Sequence, residues 1–337
     1  MQLERVLVTG GSGFVGLNIV EALLSAGVDV TSFDAKAMSV TARETFERLP
    51  GRLTVVEGDI RQLDALSMAA QTADAIVHGT AVTPNDVNEA AAVDLALSVN
   101  VGGTVNALRA AALTRQRRMV FLSSASVYGA AELAGGQLDE AASPPAPRSV
   151  YAVSKFAAER LAERLAQQDG ISLRLLRLGS VFGPWEHPTG VRSTLSPILQ
   201  TTGIAVSGSG PCVLPRDGRR DWIYSRDVAA AVLQAAIADQ TTPGPVNVGL
   251  GHEWTVADWC DHLARRFAGF GHRLAAGGEV ATIDFHGVAD RAPLAIDRLH
   301  ASLGFHPIYG LDAAFDDYMG WIGAHPEFLE GCGDGRL

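Results

Sequence analysis

Tyr151 and Lys155 stand four residues apart in the stretch SVYAVSKFAAERLAERLA, which begins at Ser149. The rest of the stretch has Ala, Leu, Glu and Arg in helical rhythm, so this spacing predicts both side chains on one helical face. An ammonium beside a phenol favours the phenolate and lowers its pKa from about 10. Such a tyrosine is a proton acceptor near neutral pH. Taken alone, the pattern equally suits a packed tyrosine and a solvated lysine, and the rest of the chain has to decide.

A second constellation lies near the start, in TGGSGFVG. Gly10, Gly13 and Gly16 give the spacing G-x-x-G-x-x-G directly after an apolar strand and at a helix start, with Phe14 and Val15 between the last two. Glycines there permit a tight turn, close backbone approach to a pyrophosphate and close helix-to-sheet packing. The helix N-terminus adds free N–H groups and a positive dipole end. The next strand ends in Asp34, 18 residues after Gly16. A carboxylate there accepts hydrogen bonds from the adenosine ribose hydroxyls and repels a 2′-phosphate, which predicts NAD rather than NADP.

These residues need elements to hold them. Short apolar runs alternate with helical patterns through the first half: RVLVT, VDVTSFD, LTVVEGD, AIVHG, MVFLSS and LRLLRLG, with an Ala-rich helix from about Asn88 to Leu113 and the helix that starts at Tyr151. Doubly apolar strands separated by helices predict a parallel sheet covered on both faces, a doubly wound α/β (Rossmann) domain. The helix SRDVAAAVLQAAI and the strand PVNVG return to that pattern, while 184–220 is rich in Gly, Pro, Ser and Thr, and the chain beyond Glu253 looks mainly helical. We therefore expect a Rossmann domain of residues 1–183 plus 221–250. A smaller, mainly helical substrate lobe would comprise 184–220 plus 251–337.

Composition bounds the function. With 47% hydrophobic and 19% charged residues, the chain reads as globular rather than disordered. A formal net charge of -10 offers no basic face to a phosphate backbone, so no nucleic-acid partner is expected. The basic RQRR at 115–118 reads as a solvated helix end. Cys212, Cys260 and Cys332 form no C-x-x-C pair, which fits a reducing compartment. No signal sequence or run of 18 apolar residues is evident, and the expectation is a cytoplasmic protein without a membrane partner. The histidines show no metal-ligand spacing, and no metal is expected.

Taken in order, the motifs resemble the extended short-chain dehydrogenases/reductases, the NAD-dependent epimerase/dehydratase family. They are TGGSGFVG, GDI at 58–60, HGTA at 78–81, NVGGT at 100–104, SSASVYG at 123–129, YAVSK at 151–155, RLGSVFGP at 177–184, RRDWIYSRDVA at 219–229 and LGFHP at 303–307. The resemblance runs nearly end to end. It implies that Tyr151 is the acid/base for a substrate hydroxyl, that Lys155 holds the nicotinamide ribose, and that Ser124 hydrogen-bonds the reacting oxygen. It also implies that Asp59 and Ile60 flank the adenine, that Gly79, Thr80, Ala81 and Asn100 lie at the cofactor, and that the helices around 88–113 and 151–168 pair in a homodimer.

Position 126 narrows the reaction. Members resembling dehydratases or decarboxylases carry an acid two residues after the Ser/Thr; here Ala125 and Ser126 follow Ser124. Two outcomes remain, an epimerase or a dehydrogenase acting on a secondary alcohol of a sugar-type substrate. Arg220 matches an arginine that grips the diphosphate of nucleotide sugars, and Arg291 is a second candidate. Against that substrate, the family's Asn in R-x-x-N-x-x-G-P is Ser180, and the segment GSGPCVLPRDGRRDW is long. Arg192 joins the expected pocket, with Ser124 and Ser126, and a free sugar or sugar acid becomes the rival substrate. A catalytically inactive NAD(H) sensor is a remote alternative, because the tyrosine, lysine and serine are all present.

Overall fold

A computed structural model describes residues 3–84, 89–115, 117–133, 136–187, 195–238, 242–285 and 290–329. The chain begins β1 (Arg5–Thr9), α1 (Phe14–Ser25), β2 (Asp29–Asp34), α2 (Val40–Phe46), β3 (Leu53–Glu57), α3 (Leu63–Ala70) and β4 (Ala75–His78). It continues with α4 (Val93–Ala96), α5 (Gly103–Ala111), β5 (Arg118–Ser124), α6 (Val150–Asp169), β6 (Ser172–Leu178), β7 (Ser180–Phe182), α7 (Pro197–Ser207) and β8 (Cys212–Leu214). Then come β9 (Trp222–Tyr224), α8 (Ser225–Ile237), β10 (Pro245–Val248), α9 (Val256–Arg266), β11 (His272–Leu274), α10 (Asp297–Leu303) and α11 (Leu311–Ala324).

Among the described residues, seven strands form one parallel sheet in the order β10-β6-β5-β4-β1-β2-β3. The strands are apolar on both faces because both are covered. Val6 and Val8 belong to the core shared with α1 and α8, and Leu7 between them belongs to the core shared with α3, α5 and α6. From β1 the chain first builds outward through β2 and β3, then returns to add β4, β5, β6 and β10 on the other side. The order reverses between β1 and β4, and a crevice at that switch point is where such sheets bind ligands.

The later elements cover the carboxyl ends of the strands. β7 pairs with β9, and β8 pairs with β11. Phe182, Tyr224, Trp254 and Trp259 meet there at ring-centroid distances of 5.4 to 5.5 Å from Phe182. Asp221 ties this region to the sheet domain: its carboxylate accepts from the backbone N–H groups of Leu250 (2.6 Å), Gly251 (3.1 Å) and Leu294 (3.0 Å). The reading of RQRR as a solvated helix end is corrected at Arg118. That residue opens β5, is buried, and donates to the Ala236 carbonyl at 2.5 Å. An arginine can end a buried strand when a helix terminus offers it an acceptor.

Candidate active site

The carboxyl ends of the strands open into one cavity of about 1000 Å³. Its first wall is the turn after β1. Gly10 donates its N–H to the Phe33 carbonyl at 2.9 Å and adopts φ +74°, where a side chain would strike the Thr80 backbone. A Cβ on Gly16 would lie 1.9 Å from the Gly10 carbonyl oxygen. The turn therefore exists only because both positions lack a side chain. Gly13 begins α1 without a side-chain cap, which leaves the helix N-terminus to an anion.

At the end of β2, the Asp34 carboxylate accepts from the backbone N–H of Ser12 (3.1 Å) and of Lys36 (3.0 Å). Burial pushes its pKa above the usual carboxylate value, and those hydrogen bonds oppose the push. Asp59, Ile60, Gly79, Thr80 and Ala81 line the same end, with Phe14, Val15 and Lys36. Asp59 is held by Arg61, whose Nε lies 2.9 Å from both carboxylate oxygens and keeps the acid below its usual pKa. A glycine cradle that a Cβ would fill, an uncapped helix start and a carboxylate at the end of β2 fit an adenine dinucleotide.

Asn100 differs from its expected place at the cofactor. It is fully buried behind the wall, in a π-helical turn (Leu97–Gly102) between α4 and α5. Its Oδ1 accepts from the Val82 N–H (2.8 Å), and its Nδ2 donates to the Val82 carbonyl (3.0 Å) and to Ser154 Oγ (2.9 Å). Both ends of the amide are thus used to fasten the loop after β4 to α6. Such π turns often mark functional positions in helices.

The reacting groups meet at the ends of β5 and α6. Ser149 caps α6 by accepting from the Ala152 N–H at 3.1 Å, and Glu89 accepts from the Val150 N–H at 2.6 Å. Those caps stop the Pro-rich loop and place Tyr151 in the first turn, on the cavity wall. Lys155, one turn on, is 2% exposed and donates to the Leu122 carbonyl at 2.6 Å, with its Nζ 4.5 Å from the Phe121 ring centre. Burial brings its pKa down to about 8. Ser124 lines the cavity at the end of β5, and its Oγ accepts from the Ser126 N–H at 3.2 Å.

At the far end stand Ser126, Ser180, Arg220 and Arg291. Arg220 is buried, its guanidinium 5.5 Å from the Trp222 ring centre and its backbone bridged to Trp254. A side cavity of about 30 Å³, room for about one water, is lined by Ser124, Ser126, Ser180, Arg220 and Arg291 among others. Among the described residues, the buried Ser126 Oγ has no protein partner. Arg192 lies outside the described residues. The cavity also takes in residues that sequence reasoning missed: Ser12, Arg61, Glu89, Arg148, Asp284 and Phe285. Ser12 sits within the glycine motif, but the others arrive from loops with no spacing signal. His187 faces the cavity, its Nδ1 donating to the Trp185 carbonyl at 2.8 Å.

A family model described as "NAD dependent epimerase/dehydratase family" matches residues 6–249. The low-salt glycan biosynthesis protein Agl12 of Haloferax volcanii is 30% identical over 94% of this chain and 98% of its own. A dTDP-glucose 4,6-dehydratase of Streptomyces niveus is 28% identical over 90% and 88%. Among solved structures, MoeE5 in complex with UDP-glucuronic acid and NAD superposes with a TM-score of 0.73 at 25% identity, covering 95% of this chain and 99% of that one.

Proposed function

The chain belongs to the NAD-dependent epimerase/dehydratase family, and from that premise we propose that it epimerises a nucleotide sugar at one ring carbinol. The observation that carries this reading is the end of β5, where Ala125 and Ser126 follow Ser124. Elimination of water needs a proton donor for the departing hydroxyl, and neither residue is one. Bound NAD supplies the hydride acceptor and donor.

The chain's own residues supply the proton path and the grip. The Tyr151 phenolate takes the proton from the substrate hydroxyl and returns it when the carbinol is re-formed. Ser124 Oγ donates to the same oxygen and keeps it aimed at Tyr151. The Lys155 cation, one turn along α6, favours the phenolate and binds the nicotinamide ribose. Asp34 holds the adenosine ribose, and the glycine turn with the start of α1 holds the pyrophosphate. Arg220 and Arg291 at the far end suit the substrate diphosphate, as arginine forks do.

A second reading, an NAD-dependent dehydrogenase of a free sugar or sugar acid, is favoured by Ser180 where the family has Asn. The test separates them. Purified protein stripped of nucleotide is given NAD and a panel of sugars, sugar acids and nucleotide sugars. A new nucleotide-sugar isomer on chromatography without accumulating NADH is expected. NADH accumulating with a free sugar or acid would instead establish the dehydrogenase, and neither result across the panel would overturn the substrate class.

The proposal extends to a homodimer formed through the helix Ala90–Ala111 and α6. It also places the protein in the cytoplasm, where the buried thiols Cys212 and Cys260 would stay reduced.

A further inference from the structure

Behind the catalytic pair lies a charged network that the chemistry above does not use. Glu159 follows Lys155 by four residues on α6 and is fully buried. Its Oε1 accepts from Ser123 Oγ at 2.6 Å and from Arg177 Nε at 3.0 Å, and its Oε2 accepts from Arg177 Nη2 at 2.7 Å. Arg177, on β6, is held in turn against Tyr128, 4.8 Å from the ring centre. Tyr128 donates to Asn247 Oδ1 on β10 at 2.8 Å. Three successive residues of β5 therefore serve three purposes. The Leu122 carbonyl holds Lys155, the Ser123 hydroxyl holds Glu159, and the Ser124 hydroxyl faces the cavity.

We infer that Glu159, fixed by Arg177 and Ser123, is a positioning residue for the catalytic pair: it locks α6 onto β5 beside Ser124, and its buried negative charge keeps Lys155 cationic. The two roles share one geometry. The bidentate contact with Arg177 fixes the place and orientation of the Glu159 carboxylate, and residues i and i+4 are neighbours on a helix face. Among the other groups around Lys155, only Tyr151 can carry a negative charge, and only while it is a phenolate, so Glu159 supplies the standing one. Tyr151 and Ser154 share its helix, and the Leu122 carbonyl and the Phe121 ring come from β5. His78 comes from β4, fully buried between Thr9 Oγ1 (2.7 Å) and Thr104 Oγ1 (3.0 Å). Asn100 is spent on Val82 and Ser154. Two arginines pair with Glu159: Arg177 stands beyond the carboxylate, and Arg160 on α6 reaches Oε2 at 3.5 Å while its other nitrogen pairs with Glu163 at 2.9 Å.

The inference rests on the reading of Tyr151 and Lys155 as the acid/base pair, but its test needs no substrate. The chain has two lysines, Lys36 and Lys155. Protein labelled with ¹³C at lysine Cε therefore gives two resonances, and Lys36→Arg assigns them. In the wild type, the Lys155 signal is expected to titrate with a midpoint of about 8. In Glu159→Gln, which keeps the shape and removes the charge, Arg177 is left uncompensated and the midpoint falls by about one unit. In Arg177→Gln the carboxylate is left uncompensated and the midpoint rises. Opposite shifts are a result that a purely structural role would not give. Any folded variant of the two whose Lys155 midpoint equals the wild type overturns the inference. Should neither fold, Ser123→Ala decides: loss of one donor to Glu159 raises the midpoint, and an unmoved one overturns the idea. The alkaline limb of hydride transfer follows the same shifts on whichever substrate turns over. A failed substrate panel thus leaves the titration standing, and a failed titration leaves the proposed reaction standing.

Discussion

His78 ends β4 with both ring nitrogens against threonine hydroxyls and no exposure to water. Burial, with a smaller contribution from the Lys155 cation, lowers its pKa to about 3. The folded value lies below the unfolded value of about 6.5, so the unfolded chain binds the extra proton first. Its contribution is fully present above pH 6.5 and is lost as pH falls toward 3. At pH 5 the loss amounts to about 2 kcal/mol. Denaturant unfolding at pH 7 and pH 5 should show that drop in the wild type, and His78→Gln should remove about that much of it. Equal drops in both proteins would refute the assignment. At Tyr151 the expectation is catalytic instead. Tyr151→Phe keeps the ring and deletes the proton-transfer group, so kcat should fall by about 10²–10⁴ while NAD affinity stays near wild type. A variant with full turnover would remove Tyr151 from the chemistry.

At the scale of elements, the glycine turn separates two kinds of constraint. A Cβ on Gly16 would sit 1.9 Å from the Gly10 carbonyl oxygen, whereas one on Gly13 would meet that oxygen at 3.4 Å. Gly16→Ala should therefore destabilise the cofactor-free protein by about 1–3 kcal/mol, the usual cost of overpacking, and Gly13→Ala should leave its unfolding midpoint unchanged. Equal melting of the two variants without NAD would show that the turn relaxes around the added methyl. The sequence exposed this turn because its spacing reflects local geometry. The same holds for α6, whose helical rhythm and Tyr-Lys spacing are local, and for the doubly apolar strands. Asn100 was readable as a motif residue but not as a fastener, because a π turn leaves no signature in NVGGT. Arg61, Glu89 and Phe285 reach the cavity through tertiary contacts that no spacing rule encodes. Arg118 misled for the same reason: its acceptor, the Ala236 carbonyl, is 118 residues away.

For the whole molecule, the question is what covers the outer face of the helices that carry the site. By length and composition alone, the helix Ala90–Ala111 could cross a membrane. In the fold it packs against α3, α6 and β4 instead. Besides Asp94 and Arg109, it leaves apolar surface outward: Leu97 is 47% exposed, and on α6 Val153 is 49% and Leu161 40% exposed. Covering the exposed half of such a side chain is worth on the order of 1 kcal/mol. A second copy would repeat the patch across a two-fold axis and so double the gain. Light scattering should give a mass twice the 35.4 kDa of the chain. Leu97→Glu combined with Leu161→Glu should halve it, because a buried, unpaired carboxylate is far costlier than an exposed leucine. Since α6 also presents Tyr151 and Lys155, the separated chains should lose turnover while still binding NAD through the glycine turn and Asp34, which belong to β1, α1 and β2. A wild-type mass of one chain would assign the patch to something other than a second copy. A dimer unmoved by the double substitution would place the contact elsewhere on the surface.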